Sequence, residues 1–251
     1  MDQLVFTHSA DTWQKRWEII RRFATVWCGI RFAPSPTAEC RLSEAEKVIG
    51  QSLPGSLRGS IKFHSELEAA GWNYGLAIKP MPDLQAVLLW SIEDDWYSVV
   101  HERDLTLDDP PVHGYSRRYG VPAEDQLNHF SLVASTITAD ALLGMIASAR
   151  PPGGTFDVHV DPTPGWLDEM RAAFKLSTLF CDIRVFESLG QLAFVGRDPF
   201  HPGNVIIMRG LWSSTCDPVP ECVARWLSKG GGLSGRFASR GPDQRAIEPF
   251  D

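Results

Sequence analysis

The hydrophobic period of this chain changes near Tyr74, and the change limits the folds open to it. Before that point, apolar residues recur at spacings of three and four, as on one face of a helix. After it come short runs rich in β-branched and aromatic residues, such as residues 86–90 and 96–100, which are typical of strands. Helices followed by strands, without a regular alternation, indicate an α+β fold with a mainly antiparallel or mixed sheet and inserted helices.

Three helices are predicted in the N-terminal part. The first covers residues 11–27, with Asp11 as its N-cap. The second begins at Ser43, because Ser43-Glu-Ala-Glu46 has the form of a capping box, and it ends at Gly50. The third follows Leu53-Pro54, with Ser56 as its N-cap.

Strands and further helices are predicted downstream of Tyr74. A helix opens at Thr138, another at Thr163-Pro164 and a last one at Pro220. The predicted strands are residues 76–78, 86–90, 96–100, 112–115, 127–134, 156–160, 179–186, 192–195 and 205–208. We expect one domain over residues 1–237 and a disordered tail over 238–251. The segment Pro151-Pro-Gly-Gly154 leaves open a second lobe over 155–237.

The acidic residues are concentrated in one stretch. The chain has 31 acidic and 24 basic residues, a net charge of -7. Residues 92–110 contain a single base, Arg103, and seven acids: Glu93, Asp94, Asp95, Glu102, Asp104, Asp108 and Asp109. Nucleic-acid binding needs clustered positive charge, so this distribution argues against a direct nucleic-acid partner.

The compartment is predicted from what the sequence lacks. No apolar stretch reaches the roughly 18 residues needed to cross a bilayer, and the Met-Asp-Gln start is not a secretory signal. The five cysteines form no CxxC pair, so reduced thiols are expected rather than a disulfide framework. We therefore expect a soluble, cytoplasmic protein that does not act at a membrane.

Two sets of motifs resemble the SUKH superfamily. The first is Leu42-Ser-Glu-Ala-Glu-Lys-Val-Ile-Gly50, followed by Leu53-Pro54 and Leu57-Arg58, which is similar to that superfamily's opening pair of helices. The second is Leu88-Leu-Trp-Ser-Ile-Glu-Asp-Asp95, followed by Asp108-Asp-Pro-Pro-Val112, which resembles its central hairpin and the segment after it. The resemblance covers residues 42–146.

The resemblance implies binding without catalysis and without a cofactor. The superfamily includes fungal regulators of cell-wall assembly and bacterial immunity proteins that neutralise polymorphic toxins. The expected function is therefore that of an immunity protein whose partner is a toxin domain, with a regulatory scaffold as the alternative. A basic nuclease would suit an acidic surface.

Eight residues are predicted to contact this partner: the acids Glu93, Asp94, Asp95, Asp104, Asp108 and Asp109, and the aromatic anchors Trp90 and Trp96. Two simpler interpretations stay open. The acids can merely solvate a hairpin, and the tryptophans can pack in the core.

A hydrolase or metal enzyme in the second half is the rival interpretation. His159 and Asp161 are two apart and share one face of a predicted strand, and Glu187 or His201 could supply a third ligand. No HExxH, GxSxG or GxxxxGK[ST] motif occurs. The segment Gly230-Gly-Gly-Leu-Ser-Gly235 fits GxGxxG, but it follows a predicted helix and favours a cap and loop.

Overall fold

The computed structural model describes residues 4–72, 76–92, 96–116, 131–151, 154–160, 165–197, 206–212 and 220–223. The chain divides into two compact units, each with one sheet. The first-sheet unit consists of Ala10–Arg21 and Gly29–Gly144. The second-sheet unit consists of Met1–Ser9, Arg22–Cys28 and Met145–Asp251.

The first-sheet unit joins helices to a five-stranded meander. Its sheet runs in the order β1-β2-β3-β4-β5, and every neighbouring pair is antiparallel. Short 3-10 turns at Pro82–Leu84 and Glu102–Asp104 follow β1 and β3. The elements are α1 (Trp13–Cys28), α2 (Ala38–Ile49), α3 (Gly55–Ala69), β1 (Lys79–Met81), β2 (Ala86–Ile92), β3 (Trp96–His101), β4 (Val112–Ser116), β5 (Ser131–Ala134) and α4 (Ile137–Ser148). The last residues of α1 and of α4 belong to the other unit.

Aromatic residues support the first-sheet unit at two places. On the sheet, Tyr97 of β3 lies opposite Tyr115 of β4, with ring centroids 6.0 Å apart, and both are buried. Between helices, the Trp17 ring of α1 packs on Phe63 of α3 at 5.1 Å. Buried aromatic side chains of this size dominate the hydrophobic stabilisation of a small core.

The second-sheet unit contains an antiparallel sheet in the order β6-β10-β9-β8-β7. Met170 of α5 and Phe174, which follows the helix, belong to one buried cluster with Phe186 of β8 and Val195 of β9. The elements are β6 (Gly154–Val160), α5 (Trp166–Ala173), β7 (Leu176–Phe180), β8 (Ile183–Ser188), β9 (Gln191–Arg197) and β10 (Ile206–Trp212).

The predicted α+β class with a mainly antiparallel sheet is confirmed. Among the described residues, no helix is long and apolar enough to cross a membrane. The four cysteines in this part of the chain, Cys28, Cys40, Cys181 and Cys222, are not joined by disulfides. Residues 127–130, 163–164, Cys216, the 230–235 segment and the 238–251 tail, for which predictions were made, lie outside the described residues.

Four predicted helix starts are wrong. One is that of α5, which begins at Trp166 with Gly165 as its N-cap rather than at Pro164. Helix α2 begins at Ala38, so Ser43 lies inside it, and the Glu46 carboxylate accepts from the Leu53 amide at 3.1 Å beyond the helix end. Helix α3 begins at Gly55 rather than after Ser56. At α1 the Thr12 hydroxyl, not Asp11, accepts from a first-turn amide. The predicted end of α2 is right, since Gly50 has a left-handed φ of 80°.

Two strand predictions are wrong. Residues 76–78 precede β1, which begins at Lys79. The single strand predicted over 179–186 is a hairpin, because β7 ends at Phe180 and β8 begins at Ile183. The turn between them is made by Cys181, which has a positive φ of 54°, and Asp182.

Candidate protein-binding surface

Residues 102–109, here called the acidic loop, connect β3 to β4 in the first-sheet unit. The loop is held in place by one buried side chain and by backbone hydrogen bonds to other parts of the first-sheet unit. The side chain of Leu105 is buried, the Glu102 amide donates to the Gln85 carbonyl at 2.8 Å, and the Asp108 carbonyl accepts from the Ser56 amide of α3 at 3.0 Å. Because the backbone is hydrogen-bonded to the turn before β2 and to helix α3, the loop presents a defined surface.

The outer side of the acidic loop combines charge with one apolar residue. Glu102 and Asp108 are exposed, and Leu107 between them is 49% exposed. The Leu107 amide donates to the Asp104 carbonyl at 3.0 Å, which fixes the turn that carries the leucine. An exposed leucine inside an acidic rim matches the composition of a protein-binding patch, with an apolar centre and a polar border.

Asp109 faces inward, unlike its neighbour Asp108. Its carboxylate lies 2.9 Å from Arg16 Nη1 and accepts from the Thr138 hydroxyl at 2.6 Å and the Thr138 amide at 3.2 Å. Thr138 is in the first turn of α4, where unsatisfied amides and the helix dipole favour a carboxylate. Asp109 therefore fixes the loop to α1 and α4, and its side chain is only 9% exposed.

Asp104 is partly exposed, and its charge acts on two nearby histidines. Its side chain is 20% exposed and lies 3.9 Å from Arg103 Nε. The rings of His101 and His113, on β3 and β4, are 4.5 Å apart beside it. Burial lowers the pKa of both histidines, and the Asp104 charge opposes the lowering. This end of the loop thus joins an acid to a half-buried imidazole pair.

Trp90 is half-buried, and its indole is already engaged. Its Nε1 donates to Oδ2 of Asp140 in α4 at 3.2 Å. Burial raises the pKa of Asp140 to about 6, although the bond from Trp90 lowers it. Of the other predicted contact residues, Trp96 has its backbone in β3, and its side chain lies outside the described residues together with Glu93, Asp94 and Asp95.

Of the four residues of the rival enzyme interpretation, the structure describes the side chain of Glu187 alone. Glu187 is 1% exposed, and its oxygens accept backbone amides. His159 has its backbone in β6 opposite Ile207, while its side chain, Asp161 and His201 lie outside the description. Within the described ranges, no three His, Cys, Asp or Glu side chains lie close enough to hold a metal ion.

Three residues of this region were missed by the sequence reasoning: Arg16, Thr138 and Asp140. Asp140 could have been noticed, since it is the one charged residue in the helix Ile137–Ser148. Nothing in the sequence around Arg16 indicates its role, because its partner Asp109 lies 93 residues further along the chain.

The chain matches no protein-family model, no curated protein and no solved structure. The SUKH resemblance therefore depends on the motifs in residues 42–58 and 88–112 alone.

Proposed function

We propose that this chain is a non-catalytic, SUKH-type immunity protein of the cytoplasm that neutralises a toxin by binding it through the acidic loop. The observation that carries the proposal is the exposed Leu107 between exposed Glu102 and Asp108, on a loop fixed by contacts beneath it. The protein needs no cofactor for this function, and the toxin domain would be a basic nuclease.

Rigidity supports a binding role for the loop. A partner that docks on a pre-formed loop loses less conformational entropy than one that must order it. The Arg16–Asp109 pair and the bonds to Thr138 provide that order, so Asp109 supports the surface from inside. Asp104 and Asp108 remain proposed contact residues, as do Trp90, Trp96 and the acids Glu93, Asp94 and Asp95.

Charge supports a basic partner. An acidic rim attracts a basic nuclease over a distance of about one Debye length, roughly 8 Å at physiological salt, and raises the association rate. Leu107 would act later, since an apolar contact that becomes buried on docking slows dissociation. Changes to the charges should therefore alter mainly the association rate, and changes to Leu107 should alter mainly the dissociation rate.

The test begins with a search for a nuclease gene beside the gene of this chain. The purified product of that gene is then the partner, and association is compared with and without the loop charges. Glu102→Lys with Asp108→Lys should lower the association rate constant at low salt by about tenfold, because steering is lost. Glu39→Lys with Glu44→Lys makes the same charge change at exposed positions of α2 and should have little effect. Leu107→Ala should mainly raise the dissociation rate.

Two results would overturn the proposal. If an excess of the wild-type chain leaves the nuclease fully active, the immunity function is wrong. If the loop and α2 charge reversals change the association rate equally, the acidic loop is not the docking surface.

A further inference from the structure

Glu187 of β8 binds two successive backbone amides in the second-sheet unit. Its Oε1 accepts from the Val5 amide at 2.6 Å, and its Oε2 accepts from the Phe6 amide at 2.8 Å. The carboxylate is 1% exposed. Burial raises the pKa of Glu187, while the two amides and the charge of Arg22 oppose the rise. The carboxylate therefore depends on these donors, because a buried charge without them is costly.

The side chains of the same two residues fill the unit's core. Val5 is 0% exposed and Phe6 is 2% exposed. The Phe6 ring packs against a cluster of three phenylalanines, with centroid distances of 6.4 Å to Phe23, 6.2 Å to Phe180 and 5.8 Å to Phe194. The last two contacts are edge-to-face, an arrangement that aromatic rings favour.

The contact is thus built like a peptide-recognition site. The carboxylate binds two adjacent main-chain N–H groups, and the aromatic pocket binds one side chain. The two hydrogen bonds hold the segment to Glu187, which is more than 180 positions away in the sequence. The residues that follow it, Thr7, His8 and Ser9, are exposed and belong to no helix or strand.

We propose that the pocket formed by Glu187, Phe23, Phe180 and Phe194 is a binding site for a short peptide that bends at an aliphatic residue followed by phenylalanine. The chain's own N-terminal segment occupies the site, and a separate peptide of the same kind can replace it. A partner that presents such a segment would bind here by displacing the chain's own. This site is separate in its residues from the acidic loop, so either proposal can fail without the other.

The first test cuts the segment from the full chain. A site for a specific protease is inserted between the exposed His8 and Ser9, and the cleaved N-terminal piece is removed. A fluorescent acetyl-Leu-Val-Phe-Thr-His amide is then titrated in and followed by anisotropy. The same peptide with a methyl group on the phenylalanine nitrogen is the control, because it lacks the N–H that reaches Oε2. We expect the parent peptide to bind and the methylated one to bind at least about tenfold more weakly.

A second test does not depend on the cut protein remaining folded. In the full-length Phe6→Ala chain, the segment is weakened but still attached. Excess peptide should then raise the melting temperature of Phe6→Ala and should fail to raise that of Phe6→Ala with Glu187→Ala. The proposal is overturned if the folded, cut protein does not distinguish the two peptides. Where the cut protein does not fold, an unchanged melting temperature of Phe6→Ala overturns it.

Discussion

The indole of Trp17 lies so close to Gly59 that a Cβ at Gly59 would stand 2.5 Å from the indole Nε1. One helical turn earlier, a Cβ at Gly55 would stand 2.6 Å from Cζ2 of Trp13. The Trp17 Nε1 also donates to the Ser56 carbonyl at 3.2 Å. Two tryptophans four apart on α1 therefore rest on two glycines four apart on α3. The contact between these helices exists because those α3 positions have no side chain.

We expect Gly59→Ala to destabilise the protein by about 1–3 kcal/mol, the usual cost of overpacking. Helix propensity alone predicts the opposite, since alanine stabilises a helix interior by roughly 1 kcal/mol relative to glycine. The free energy of unfolding in urea decides between the two effects. The steric effect should win, because the nearest atoms belong to a rigid, buried indole.

Gly196→Ala is the matched control. A Cβ at Gly196 in β9 would meet no atom within 4 Å, so its unfolding free energy should change by less than about 1 kcal/mol. A Gly59→Ala protein as stable as the wild type would show that α1 and α3 separate at little cost.

The fold class could be predicted from the sequence because hydrophobic periodicity reports which face of an element is buried. The tryptophan stripe of α1 was readable in this way, but its partner was not, since periodicity does not say what lies against the face. The predicted helix boundaries were wrong where the residues of a capping motif make a different contact. Glu46 resembles half of a capping box, yet its carboxylate binds the Leu53 amide after the helix.

The hairpin within residues 179–186 was missed because the first residue of its turn, Cys181, is unusual at a position with positive φ. Two-residue turns with positive φ favour glycine, asparagine or aspartate, whereas Cys181 takes a φ of 54° here. The apolar residues on the two sides of the turn therefore look like one continuous strand in the sequence. The candidate surface was predicted only in part for a similar reason. Asp108 and Asp109 look alike in sequence, and the distant Arg16 determines which of them turns inward.

Asp109→Ala should destabilise the protein by about 2–4 kcal/mol, because it leaves Arg16 without its carboxylate and removes two bonds from the start of α4. Asp108→Ala removes an exposed carboxylate and should change the unfolding free energy by less than about 0.5 kcal/mol. Urea denaturation of both variants provides the comparison. Equal losses would mean that the inward and outward acids do not differ in their contribution to folding.

His64 should make the protein less stable in mild acid. Burial lowers its pKa to about 4 from 6.5, and the bond between Nδ1 and the Ser60 carbonyl, 2.8 Å long, opposes the shift. The unfolded chain therefore takes up a proton before the folded one does. This group's contribution to stability is intact above about pH 6.5 and falls by on the order of 2 kcal/mol as the pH drops toward 4.

The variant that tests this is His64→Asn, which keeps an N–H donor but cannot gain a proton. It should be less stable than the wild type at pH 7 because volume is lost, and its stability should fall less between pH 6.5 and 4.5. The exposed His8 serves as the control, since His8→Asn should leave the pH profile unchanged. Parallel profiles for His64→Asn and the wild type would contradict the prediction.

Asp140 should act in the opposite direction, because it is an acid whose pKa is raised. Burial raises its pKa to about 6 from the usual 3.8, so the folded state holds the proton more tightly than the unfolded one. Its contribution is fully present below about pH 4 and is lost as the pH rises through 6.

In Asp140→Asn the side chain does not ionise, so the protein should not lose stability as the pH rises through 6. The amide oxygen can still accept from Trp90 Nε1. The variant should match the wild type near pH 4 and exceed its unfolding free energy at pH 8 by about 1–2 kcal/mol. Asp83→Asn, at an exposed position of the 3-10 turn after β1, should show no such crossover. If Asp140→Asn is less stable than the wild type at pH 8, the charged carboxylate stabilises the fold, and the bond to Trp90 outweighs the cost of burying it.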